Sequence, residues 1–262
     1  MKLSPPFLRR TIKRWGTYLR TRFRALRSPQ PKTRFLILGE ARTGTNLLAS
    51  YLRSHPDVGV CGEILNPTDP SGIRLRLRTT RAVIRHIEVS LRSLGLTCCG
   101  AQTHIYHFIL HRLPIDTLCT AMPDLKFLVI YRKSLAEQYV SWKLAKTTGK
   151  WVGTSDESIY RDRVVVDPNE FMSYCANLRQ RYELLTESVQ LRSRAISFCY
   201  EQLTAEPQSV CEKLIFPFLG LPKVSVYTKL KKQNTRALSE VVVNYQEVKD
   251  LLESARLEDL ML

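Results

Sequence analysis

From Arg34 onward, short apolar runs alternate with stretches whose apolar residues recur every three or four positions. Five runs read as strands: Phe35 to Leu38, Asp57 to Glu63, Leu96 to Thr103, Lys126 to Tyr131 and Ala195 to Cys199. The first and fourth are apolar throughout, the pattern of strands buried on both faces. Between them the period lengthens to that of helices. One opens at Thr45 or Asn46 and continues through Leu47, Leu48, Tyr51 and Leu52. A second covers residues 79 to 94, with Val83, Ile87 and Leu91 inward. Further helices are predicted from Phe108 to Leu113 and on to Ala121, from Leu135 to Lys146, over 168 to 190 behind Asp167-Pro168, and from Pro207 to Leu219. Strands alternating with helices predict an α/β fold, a parallel sheet with helices on both faces, and the spacing of Gly39 and Gly44 makes it P-loop-like.

The first 28 residues follow another rule. Leu8, Ile12, Trp15, Leu19, Phe23 and Leu26 recur at helical spacing, while Arg9, Arg10, Lys13, Arg14, Arg20, Arg22 and Arg24 cover the other faces. Ser28-Pro29-Gln30-Pro31 then breaks the pattern. The predicted division is a basic arm and linker over residues 1–30 and a domain over 31–262. Such an arm suits an anionic membrane surface; a helix docked on its own domain and an organellar transit peptide are the alternatives.

Charge sharpens this division. The chain of 262 residues carries a net charge of +16, but residues 1–34 hold eleven of its 40 basic residues and no acid. The remainder, 29 basic against 24 acidic, is too balanced for a general nucleic-acid surface, so no specific nucleic-acid partner is expected. No apolar run reaches the roughly 18 residues of a membrane span, and no secretory leader is legible. The expectation is a cytoplasmic protein, peripheral at the inner membrane if the arm binds lipid. The seven scattered cysteines, with no CxxC pair, read as reduced thiols.

Chemistry concentrates at the predicted strand ends, where ligands of open α/β sheets bind. These ends hold Arg42 to Asn46, Glu63, His104, Arg132 and Tyr200-Glu201. Gly39 and Gly44 have the spacing of the first half of a nucleotide-binding P-loop, but Thr45 and Asn46 stand where a P-loop NTPase needs Lys and Ser/Thr. The loop therefore suits a phosphate-like group, with Arg42 as its cation, and not Mg·ATP.

From Lys32 to Tyr245 the chain resembles the nucleotide-dependent sulfotransferases of the bacterial carbohydrate branch, which includes trehalose sulfotransferase. The resemblance rests on four elements in order. They are Arg42-Thr43-Gly44-Thr45-Asn46-Leu47-Leu48, the stretch Ile130-Tyr131-Arg132 to Ser141, the pair Tyr200-Glu201-Gln202-Leu203 and Phe218-Leu219-Gly220-Leu221, and Lys231-Lys232-Gln233-Asn234. It implies that Arg42, Thr43, Gly44, Thr45 and Asn46 bind the 5′-phosphosulfate of 3′-phosphoadenylyl sulfate (PAPS), the co-substrate. Arg132 and Ser141 would hold its 3′-phosphate, with Lys133 as an alternative to Arg132 because the spacing to the serine is one residue longer than in the cytosolic branch. Lys231, Lys232 and Gln233 would close over the nucleotide.

Sulfuryl transfer is a loose in-line displacement governed by positioning and charge, so backbone N–H groups and one or two cations suffice and no metal is required. Arg42 would stabilise the leaving oxygen. Glu63 matches the glutamate base of the carbohydrate branch, and His104, in Gln102-Thr103-His104, resembles the histidine base of the cytosolic one; Glu63 is preferred as base, His104 as a group that binds the acceptor. His104, His107 and His111 at i, i+3 and i+7 also raise metal ligation, but no Cys or acid beside them completes a set. Trp142 and Trp151 offer faces to a sugar ring, with helix packing as the alternative. Residues 64–95 and 142–166 are expected to line the site of a carbohydrate or glycolipid acceptor. The competing functions are a P-loop kinase with a degenerate loop and a non-catalytic membrane or nucleic-acid binding module.

Overall fold

The structure, a computed structural model, describes residues 19–68, 79–155 and 159–254. Most of the basic arm, residues 1–18, lies outside the described residues, as does part of the expected acceptor lining at 69–78 and 156–158.

Helix α1 (residues 19–27) leads into β1 (Thr33–Gly39), α2 (Thr45–Leu52), β2 (Val58–Glu63), α3 (Thr80–Arg92) and β3 (Cys98–His104). Short α4 (Ile105–Leu110) and α5 (Ile115–Ala121) precede β4 (Leu125–Tyr131), α6 (Leu135–Thr148), α7 (Pro168–Glu187), α8 (Val189–Arg192) and β5 (Ala195–Cys199). Then follow α9 (Tyr200–Ala205), α10 (Pro207–Val210), α11 (Phe216–Leu219), α12 (Leu238–Val241) and α13 (Tyr245–Ser254). The five strands form one sheet in the order β2-β3-β1-β4-β5, with every pairing parallel.

Alternate residues of β1 explain why helices cover both faces. Leu36 and Leu38 pack into a cluster with Val83, Ile87 and Leu91 of α3, whereas Phe35 and Ile37 pack with Leu48 and Leu52 of α2 and with Phe216. All ten are fully buried. Each contributes about 1.5–3 kcal/mol, and Leu36→Ala at the sheet centre is expected to cost about 2–5 kcal/mol. A third cluster, around Tyr139, Val140, Phe171 and Val241, joins α6, α7 and α12.

Helix ends follow local chemistry. Thr79 caps α3 by accepting from Ala82 N–H, and Ser134 caps α6 by accepting from Glu137 N–H. Asp167 caps α7, which starts with Pro168. Two predicted helices are broken. The helix expected over 168–190 stops at Glu187, and Ser188 caps a new one by accepting from Leu191 N–H. The helix expected from Pro207 to Leu219 contains a π-helical turn over Cys211–Ile215. Pro217 explains the turn, since it donates no N–H and its ring crowds the carbonyl four residues back.

Connections from β1 run to one side of the sheet and those from β4 to the other. The crevice at the carboxyl ends of these neighbours is therefore the topological switch point, the ligand-binding position of such sheets. All seven cysteines are free thiols, six of them buried, and burial pushes Cys98 and Cys211 up to about 12. No helix among the described residues is long and apolar enough to cross a membrane.

Candidate active site

The loop between β1 and α2 turns through two left-handed residues, Arg42 at φ 69° and Gly44 at φ 91°. Only glycine suits position 44, because a Cβ there would lie 2.6 Å from the Tyr200 ring. Gly39 is equally confined: a Cβ would lie 2.8 Å from the carbonyl oxygen of Ile130 on β4. Thr43 turns inward, its Oγ1 donating to the Glu40 carbonyl at 2.8 Å. No side chain caps α2 and no acid sits in its first turn, so its N-terminus presents N–H groups and the positive end of its dipole.

A cleft of about 310 Å³ opens against this N-terminus. Arg42, Gly44, Thr45 and Asn46 line it from the loop, Arg132 and Ser141 from β4 and α6, and Lys231, Lys232 and Gln233 from the segment before α12. Of the residues singled out for the donor, Thr43 and the alternative Lys133 do not line it. Residues given no site role from the sequence complete the lining, among them Tyr51, Glu137, Thr228 and Asn234; Trp151, named there for a sugar, and Tyr200 also contribute.

The Arg42 side chain crosses the cleft. Its guanidinium donates to Ser141 Oγ at 2.9 Å, the Trp151 carbonyl at 2.5 Å and Gln233 Oε1 at 2.9 Å. It therefore ties the loop to α6 and to the late basic segment, rather than standing at one end of the cleft. Burial, with the charge of Arg132 adding to it, lowers its pKa below the ordinary arginine value. Gln138 of α6 braces the loop, donating to the Ala41 carbonyl at 2.9 Å.

Arg132 is 8 % exposed and lies 4.7 Å from the centre of the Tyr200 ring. Its guanidinium pairs with Glu137 and lies 3.8 Å from Glu201. Lys133 is exposed outside the cleft lining, and its backbone N–H donates to Glu201. Trp142 packs between Tyr139 and Tyr174, whereas Trp151 is half-exposed at the cleft edge.

Glu63 and His104 do not line this cleft. They meet at the ends of β2 and β3, with His104 Nε2 3.4 Å from Glu63 Oε1. The sheet register explains the meeting, since Glu63 pairs with Gln102 on β3 and His104 with Gly39 on β1, the residue that opens the loop. Asn66 Nδ2 donates to the other Glu63 oxygen at 2.6 Å. The two residues weighed as separate bases thus form one pair beside the loop.

A buried acid missed in the sequence adjoins them. Glu40 follows Gly39, is 4 % exposed, and accepts from Tyr106 N–H at 2.9 Å and Arg181 at 3.1 Å. Burial raises its pKa, against the opposing pull of Arg181. Its signal was a lone acid at a strand end; the partner Arg181 lies on α7, beyond the reach of any spacing rule.

The histidine triplet also resolves differently. The acid absent from its neighbourhood in sequence is supplied by Glu63, whose oxygen and the ring nitrogens of His104 and His107 lie within 4.8 Å of one another. His111 points away, bonded to the Leu65 carbonyl at 2.7 Å. The rings of His104 and His107 stack at 5.0 Å and 15°, so their in-plane lone pairs run side by side instead of converging. His107 Nδ1 accepts from His104 N–H at 3.2 Å, which puts the proton of the neutral ring on Nε2. Burial, reinforced by His104 and His111, pushes the His107 pKa down to about 3. His107 is built as a neutral support for His104, with no lone pair left for a metal.

The chain is similar to known proteins over most of its length. Nodulation protein H of Rhizobium meliloti (strain 1021) is 27% identical over 234 residues, covering 84% of this chain and 90% of that protein. Nodulation protein H of Rhizobium tropici is 26% identical over 231 residues, covering 86% and 90%. The crystal structure of a sulfotransferase from Alicyclobacillus acidocaldarius superposes with a TM-score of 0.52 at 19% identity, over 89% of this chain and 96% of that one, a likeness of fold. The model of the sulfotransferase family matches residues 34–225, well over half the chain and every strand of the sheet. The protein belongs to the sulfotransferase family and is an enzyme of sulfuryl transfer.

Proposed function

We propose that the enzyme moves a sulfuryl group from 3′-phosphoadenylyl sulfate to a hydroxyl of a carbohydrate or glycolipid acceptor. The observation that carries this reading is the single cleft lined by the α2 N-terminus, Arg132, Ser141 and Lys231 to Gln233. These groups suit a ligand with two anionic ends. The N–H groups at the start of α2, with Arg42, would receive the sulfated 5′ end, and Arg132 with Ser141 the 3′-phosphate. Tyr200 offers an aromatic face beside Arg132. Family membership sets aside the kinase alternative, and a loop without the Walker lysine supports a reaction that needs no divalent metal.

The donor supplies a sulfuryl group on a bridging oxygen. In transfer, the bond from sulfur to that oxygen breaks while sulfur bonds to the acceptor oxygen, and the acceptor's proton goes to Glu63. His104 holds the Glu63 carboxylate in place, and is itself held by His107. Arg42 carries positive charge to the departing oxygen. The position of the Glu63–His104 pair beside the loop, outside the donor cleft, supports an acceptor approaching from the β2–β3 side. Half-exposed Trp151 suits a sugar ring at the cleft edge.

Calorimetric titration with adenosine 3′,5′-bisphosphate tests this reading. Binding in the presence of a chelator is expected. Absence of binding, or binding only with Mg²⁺, would overturn it.

A further inference from the structure

The described part of the arm does not dock by its apolar stripe. Leu19, Phe23 and Leu26 are 48 %, 62 % and 70 % exposed on α1, while Ala25 is the residue turned inward, at 4 %. Spaced at i, i+4 and i+7, these three side chains share one helical face. Arg20, Arg24 and Arg27 are exposed around them, and residues 19–34 contain no acid. Large apolar side chains left in water on a helix this basic call for a partner that is apolar inside and anionic at its surface.

From this exposed, cation-flanked face we infer that α1 docks the enzyme on an anionic lipid surface, inserting Leu19, Phe23 and Leu26 among the acyl chains. The arginines meet lipid phosphates, and their stems extend the apolar strip. The helix is fixed to the body at its far end, where Arg92 Nε donates to the Ser28 carbonyl at 2.8 Å. That anchor joins the end of α3 to the residue that follows α1, just ahead of β1 (Thr33–Gly39) and so at the amino-terminal edge of the sheet. The active site lies at the carboxyl edge, roughly 20 Å away along a seven-residue strand. A docked enzyme thus keeps its donor cleft open to water, facing away from the bilayer.

The test is co-sedimentation of the full chain with sucrose-loaded vesicles of phosphatidylcholine alone or mixed with phosphatidylglycerol. The protein is expected to pellet with the anionic vesicles and remain in solution with the neutral ones. The triple variant Leu19→Ser, Phe23→Ser, Leu26→Ser is expected to lose about tenfold in bound-to-free ratio. Its thermal midpoint should not change, since all three side chains are exposed. Wild-type protein that stays in the supernatant overturns the proposal. So does a triple variant that binds as well as wild type, which would leave charge alone as the cause. Light scattering that shows a wild-type dimer and a monomeric triple variant would assign the face to a second copy instead. The proposal does not depend on the donor: sedimentation reads docking with no nucleotide present. Where bisphosphate binding is measurable in solution, its Kd on vesicles should agree within twofold, and a loss of affinity there would overturn the outward orientation of the cleft.

Discussion

Replacing Glu137 with Gln is expected to tighten binding of adenosine 3′,5′-bisphosphate while leaving adenosine 5′-monophosphate unchanged. Without ligand, the Glu137 carboxylate holds the guanidinium of Arg132, which is 8 % exposed and faces the cleft. A 3′-phosphate on the same guanidinium would sit about 6 Å from that carboxylate, like charge against like. At this distance Coulomb's law gives about 0.7 kcal/mol per charge pair in water and about 2.8 at an effective dielectric near 20. The Glu137 side chain is 45% exposed, so screening places the penalty between these limits, at about 1–2 kcal/mol. That corresponds to about five- to thirtyfold in Kd. Glu201, 3.8 Å from Arg132 Nε, remains to hold the arginine in place. The helix loses an acid from its first turn, worth about 0.3–1 kcal/mol of stability. Parallel titrations of both nucleotides, at low and high salt, read the effect, and the gain should shrink with salt. If E137Q weakens the bisphosphate, or changes both nucleotides equally, Arg132 is not reserved for a 3′-phosphate.

Other expectations follow from the same geometry. Gly44→Ala should abolish nucleotide binding and cost about 1–3 kcal/mol of stability, since residue 44 is left-handed and its Cβ would strike Tyr200; calorimetry and thermal unfolding check both. Glu63→Gln should lower turnover by about 10² to 10⁴-fold with nucleotide affinity intact, and near-normal turnover would move the base to His104. His107 binds its proton more weakly when folded, about 3, than the ordinary histidine value near 6.5. The unfolded chain therefore takes up the proton first, and stability present above about pH 6.5 is lost as pH falls towards 3. The loss should be on the order of 3–5 kcal/mol, and urea midpoints against pH should flatten over that interval in His107→Phe.

The apolar run ending at Gly39 announced a central strand because burial on both faces leaves no room for polar residues, and the observed clusters on either side of β1 bear this out. Arg132 was legible because it directly follows the apolar run that forms β4. Glu63 and His104 were legible singly but not as a pair, because only the β2–β3 register brings two strand ends together. The ion pair of Glu40 with Arg181 spans 141 positions and has no periodic signature. The arm's helical period was plain in Leu19, Phe23 and Leu26, yet spacing cannot tell whether a stripe faces its own domain or the solvent. That distinction came from Ala25, the small residue that turns inward.

The transferred group and its donor can be read together in one assay. The most direct measurement incubates the full chain with donor labelled in its sulfuryl group, a chelator and cell-derived carbohydrate fractions, following the label and the released nucleotide together. A labelled acceptor and adenosine 3′,5′-bisphosphate are expected in equal amounts without divalent metal, both lowered by about 10² to 10⁴-fold in E63Q. Transfer that needs Mg²⁺, or nucleotide released without a labelled product in any fraction, would contradict it.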